Sequence, residues 1–118
     1  MRLTVVDLIV VSCCIAGDVI TGLIAAWLNH SFQSSKMREG ASHKVGELLA
    51  MGIVYGVQWG LPYLGVTSTI NFVRFFALYI VVMEVASMCE NIVSLDPELS
   101  GPLGHLIDTL KGVLNRDE

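Results

Sequence analysis

A few side chains able to hold a charge or a proton stand in stretches that are otherwise apolar: Asp7 and Asp18 near the amino terminus, Gln58 in the middle, and Arg74, Glu84 and Asn91 further on. A carboxylate at the centre of a hydrocarbon layer costs about 2.5 to 3.5 kcal/mol on insertion scales, so it faces protein or water, or is held neutral. Such groups can bind a proton or a cation, seal one helix to another, or line a watery passage. Asp7, Cys14 and Asp18 follow one another at spacings of 7 and 4, and Glu84 precedes Asn91 by 7, so each set lies on one helical face. Such polar stripes line interfaces or pores. Two readings stand: the stripes seal helix against helix within one subunit, or they meet water in some state.

The elements that position these residues are set by composition. The chain has 118 residues, of which 53% are apolar and 15% charged, and its mean hydropathy is +0.65. A bilayer crossing takes about 20 mostly apolar residues, so there is room for about three. Residues 3–28 form the first expected span, 48–66 the second, which Pro62 kinks or ends, and 72–93 the third. A short uncharged turn over residues 66–71 joins the last two. Residues 29–47 read as a polar loop carrying Lys36, Arg38 and Lys44. Asp96-Pro97 and Gly101-Pro102 close the membrane region. A cleaved signal peptide suits residues 3–28 poorly, because Asp7 is charged and the apolar run resumes after Asp18. Val10-Val11-Ser12-Cys13 resembles a lipoprotein cleavage box only by chance, since the oily run continues past Cys13.

The expected fold is therefore an all-α membrane protein with three transmembrane helices and a short amphipathic carboxy-terminal helix. Residues 1–95 make the membrane domain and 96–118 a cytoplasmic tail. In the tail, Leu103, Leu106, Ile107, Leu110, Val113 and Leu114 share one helical face, opposite Asp108, Lys111 and Arg116. That helix docks on neighbouring spans or on another copy, or lies on the membrane surface. Short loops rich in Lys and Arg stay in the cytoplasm. The loop and tail hold Lys36, Arg38, Lys44, Lys111 and Arg116, against Arg2 and Arg74 on the other side, so the amino terminus is expected outside and the carboxy terminus inside.

Depth then groups the polar residues. Asp18 lies 11 positions inward from Asp7, Glu84 lies 10 inward from Arg74, and Gln58 lies 11 outward from Glu47. At about 1.5 Å per residue each is some 15 Å deep, near the middle of a layer about 30 Å thick. Asp18, Gln58 and Glu84 are thus expected to meet at the midplane, and Asp7 and Arg74 to pair at the outer level. Gly52, Gly56 and Gly60 recur every fourth residue, a ladder that lets helix backbones approach closely in lipid. Its partner is either another subunit or another span of the same chain.

Several functions drop out. A net charge of −4 and a pI near 5.2 leave no basic excess for nucleic acid. Three cysteines, Cys13, Cys14 and Cys89, each lie in apolar sequence and read as membrane-buried thiols rather than a disulfide framework. His30, His43 and His105 show no metal-ligand spacing, and no nucleophile elbow or phosphate loop occurs, so no enzyme, metal or cofactor is expected.

Gly17-Asp18-Val19-Ile20-Thr21-Gly22, then Ser34-Ser35-Lys36-Met37-Arg38-Glu39-Gly40 with Lys44 and Gly46-Glu47-Leu48, resemble the phage holin family that includes toxin-secretion and phage-lysis holins. In the third span Tyr79-Ile80, Glu84, Ser87 and Glu90-Asn91 are similar to that family's pattern. The resemblance covers roughly residues 17 to 91, most specifically at Lys36-Met37-Arg38-Glu39-Gly40. Asp96 departs from it, standing where the family usually has glycine. The resemblance implies a non-enzymatic homo-oligomer of the host bacterial cytoplasmic membrane. It would form lesions that release or activate a phage endolysin, or export a large toxin, without direct contact with either, and with room for an antiholin partner. The competing classes are a small ion channel or secondary transporter using the midplane carboxylates, and a membrane anchor whose tail recruits a partner.

Overall fold

The computed structural model describes residues 2–67 and 70–117, with side chains over 5–67 and 70–115. Ser68 and Thr69 of the expected turn, and the side chains of Arg2 and Arg116 used in the charge comparison, lie outside the described residues. Four helices follow in order: α1 (Arg2–Leu28), α2 (Ser34–Gly60), α3 (Phe72–Leu95) and α4 (Ser100–Asp117). Two single 3-10 turns, Leu61–Leu64 and Pro97–Leu99, link α2 to α3 and α3 to α4. No strand occurs among the described residues.

Helix α1 is continuous because nothing in it breaks the backbone ladder; its 27 residues extend about 40 Å. It ends where His30 turns to φ 54. There the His30 N–H donates to Trp27 O at 3.3 Å and the Ser31 N–H to Ala26 O at 2.8 Å, the pair of hydrogen bonds that closes a helix through a left-handed residue. Pro62 stops α2 at Gly60, and Gly65, at φ 80, supplies the left-handed turn that follows. Asn71 opens α3 by accepting the Arg74 N–H at 3.0 Å.

Helices α1 and α3 run parallel and pack along their length, from Asp7 beside Arg74 to Asn29 beside Ser94. Gly17 leaves room for the Met88 side chain in this seam, since a Cβ there would stand 2.7 Å from Met88 Sδ. Helix α2 runs antiparallel to both, with Lys44 reaching Glu84 and Gln58 reaching Phe72. The core joins Val11 and Ile15 of α1, Met51 of α2, and Val73, Ala77 and Ile80 of α3. Helix α4 folds back on the end of α3, bringing Leu103 and Ile107 beside Cys89 and Val93. Leu106 and Val113, counted to the same apolar stripe, remain exposed.

Two helices, Val5–Leu28 and Phe72–Leu95, are long and apolar enough to cross a membrane by length and composition. Their outward faces present Ile9, Ile20, Ile24, Trp27, Phe75 and Met83. The expected second span differs from the structure in two ways. It ends at Gly60 rather than near 66, and its helix begins at Ser34, inside the segment read as a loop. That segment contains no proline, and half of residues 34–47 are Lys, Met, Arg, Glu or Ala, so the helix propagates through it. The resulting α2 has a polar first half and an apolar second half, and it falls short of the composition that marks the other two.

Candidate functional site

The face that α2 turns inward runs Lys44, Glu47, Met51, Val54, Gln58, at alternating steps of 3 and 4. Its polar end meets the polar stripes of α1 and α3. Asp18 is 8% exposed and Glu84 2%. Between them sits Lys44, its ammonium hydrogen-bonded to Asp18 Oδ2 and to Glu84 Oε2. One cation therefore bridges two buried carboxylates on separate helices. Each carboxylate alone would be expensive in a low-dielectric interior, and the bridge offsets that cost only while all three remain together.

Further polar groups complete the cluster. Asn91 Nδ2 donates to Asp18 Oδ1 at 3.0 Å and to Thr21 Oγ1 at 2.9 Å, and the Thr21 hydroxyl donates to the Asp18 carbonyl at 3.2 Å. Glu47, one turn beyond Lys44, has a side chain only 10% exposed, with His43 Nε2 3.3 Å from its Oε1. That oxygen accepts no hydrogen bond. A cleft of about 630 Å³ opens beside the cluster between α1 and the polar half of α2, with Asp18, Lys44 and Asn91 on its walls and Phe32, Lys36 and Ser94 also lining it.

The structure brings Asp18, Glu84 and Asn91 together and removes Gln58 from that group. Gln58 Oε1 accepts the Phe72 N–H at 2.6 Å, and its Nε2 donates to Ile70 O at 3.3 Å. It thus caps the start of α3 at the opposite end of the bundle. The physical reason is register: counting depth from Glu47 assumes that the helix starts there, whereas α2 begins at Ser34, so Lys44 and not Gln58 reaches the level of Asp18. Lys44 is correspondingly not a loop residue, and its charge is spent inside the bundle. Lys36 and Arg38 stay exposed on the first turns of α2.

Asp7 and Arg74 lie together, with Arg74 Nη2 3.3 Å from Asp7 Oδ1 and Arg74 Nε 3.3 Å from both carboxylate oxygens. Gly52, Gly56 and Gly60 touch neither α1 nor α3, for a Cβ at each would meet nothing within 4 Å. The intrachain reading of that ladder is therefore set aside. Sequence reasoning missed Lys44, Glu47 and His43 as members of the cluster. The signal that points to Lys44 and Glu47 is their place in the same 3-4 stripe as Met51, Val54 and Gln58.

The arrangement holds charged groups out of water inside the helix bundle. The chain belongs to the bacteriophage holin family, whose family model matches residues 4–112. No curated protein and no solved structure matches significantly.

Proposed function

We propose that this member of the bacteriophage holin family oligomerises in the bacterial cytoplasmic membrane and opens lesions that release or activate an endolysin, or pass a large toxin, when α2 gives up its hold on α1 and α3. Membership of the family carries the general role, membrane permeabilisation in lysis. The observation that carries the mechanism is the Lys44 bridge between Asp18 and Glu84.

In the resting state α2 stands as a third crossing helix whose polar half is tolerated because Lys44 is neutralised by its two partners. Withdrawal of Lys44 leaves two carboxylates on the α1–α3 pair, and these are stable only against water. Several α1–α3 pairs then gather with their polar stripes facing a common aqueous space, which makes opening cooperative. Moving one charge through the membrane potential is worth about 2.3 kcal/mol per 100 mV, so loss of potential biases the two states. The outward glycine ladder of α2 supplies a face for subunit association, and the amino terminus lies outside.

The test is induction of the gene in a bacterium with and without an endolysin, following viability, dye entry and leakage of a large cytoplasmic enzyme. A lesion-former stops growth abruptly and lyses the cell when the endolysin is present. Leakage confined to small solutes would favour the channel or transporter reading, and no leakage the anchor.

A further inference from the structure

We propose that His43, Glu47 and Glu84 form a binding site for one divalent transition-metal ion of the zinc class, fastening α2 to α3. The ligand atoms of these three residues all lie within 4.8 Å of one another. His43 and Glu47 stand one helical turn apart on α2, and Glu84 approaches from α3. Two ligand atoms held about 2.0 to 2.1 Å from a tetrahedral zinc stand about 3.4 Å apart, and His43 Nε2 lies 3.3 Å from Glu47 Oε1. Glu84 would bring the third ligand atom, which lies within 4.8 Å of the other two.

Two independent observations point to a cation there. Glu47 Oε1 is buried and accepts no hydrogen bond, on a side chain nine-tenths withdrawn from solvent. An orphaned buried carboxylate oxygen calls for a partner. The second is charge balance. Asp18, Glu47 and Glu84 bring three carboxyl groups into one buried cluster beside a single cation, Lys44, an excess of acidic groups that a bound cation would offset. Imidazole with carboxylate suits zinc and its neighbours better than calcium or magnesium, which prefer oxygen alone. His43 is mostly exposed, with 68% of its side chain accessible, and leaves an entry path and an open fourth position. The expectation of no metal site weighed histidine and cysteine spacing only; Glu47 stands at a helical spacing from His43 on α2, while Glu84 is brought in by the pairing of α2 with α3. The inference stands apart from lesion formation, since it concerns the closed chain alone.

The test is isothermal titration of the untagged full-length protein in detergent micelles with zinc chloride, with magnesium chloride as control, alongside His43→Ala and Glu47→Gln. One zinc per chain, unaffected by magnesium and weakened about tenfold or more in both variants, is the expected result. Zinc should also raise the melting temperature of the wild type and leave that of His43→Ala unchanged. His43 is exposed, so its loss leaves the fold intact, as circular dichroism would record. Absence of zinc binding at up to hundreds-fold excess over protein, or wild-type binding by His43→Ala, overturns the site.

Discussion

Lys44 and Glu84 meet at 2.5 Å across the α2–α3 boundary, although one belongs to a polar stretch and the other to the middle of an apolar helix. The pairing fixes where α2 sits. It also makes the seating of the polar half of α2 conditional, because Lys44 finds its two carboxylate partners only there. Four consequences can be measured.

Lys44→Met removes the cation and keeps the volume. Breaking a buried pair by deleting one partner costs about 3 to 5 kcal/mol, since the remaining charge is uncompensated. Titration of purified protein with a denaturing detergent should show a loss of that order. Adding Asp18→Asn and Glu84→Gln to Lys44→Met should recover most of it, and a single variant as stable as wild type would remove the bridge from the account of packing.

Asp18→Asn and Glu84→Gln, made separately, each leave Lys44 with one charged partner. The closed state is weakened and the charge available to line an opened lesion is halved. The onset of lysis should shift in both variants relative to wild type at matched protein levels. Unchanged onset in both would mean that these carboxylates have no part in triggering.

Gln58→Ala strips the cap from the first amide of α3. Loss of a helix cap costs about 0.5 to 2 kcal/mol, and the Phe72 amide should exchange its hydrogen faster while amides near Glu84 keep their protection. Gln58→Glu keeps the acceptor and adds a favourable charge at the helix start, so it should restore protection at Phe72.

Asp7→Asn should matter far less. Arg74 is well exposed on its outer side, and exposed pairs are worth about 0 to 1 kcal/mol with screening by salt. A destabilisation matching that of Lys44→Met would show that the outer pair is as critical as the inner bridge.

Much of this fold is legible from residue types. Helices α1 and α3 stand out as long uninterrupted apolar runs, and α4 by its Leu103–Ile107–Leu110–Leu114 face. Asp7 with Arg74, and Asp18 with Glu84, are placed together by counting along two parallel helices that start at about the same level. The first half of α2 is the exception. Hydropathy separates residues 34–47 from 48–60, whereas the backbone has no reason to stop between them, and an error in the starting point carries Gln58 away and brings Lys44 in. A buried charge needs its counter-charge, and Lys44 lies close in sequence to the apolar run; that requirement, more than hydropathy, is what identifies it.

The central claim is that the polar stripe of α1 is sealed in the closed protein and meets water on opening. Cys14 lies on that stripe between Asp7 and Asp18, and Cys13→Ala with Cys89→Ala leaves it as the sole thiol. Its modification by a membrane-impermeant charged thiol reagent, followed in cells before and after collapse of the membrane potential, reads the claim directly. Slow modification before collapse and a sharp rise at the onset of lysis is the expected result, because the reactive thiolate forms in water. The same rate before and after, whether fast or slow, would contradict it.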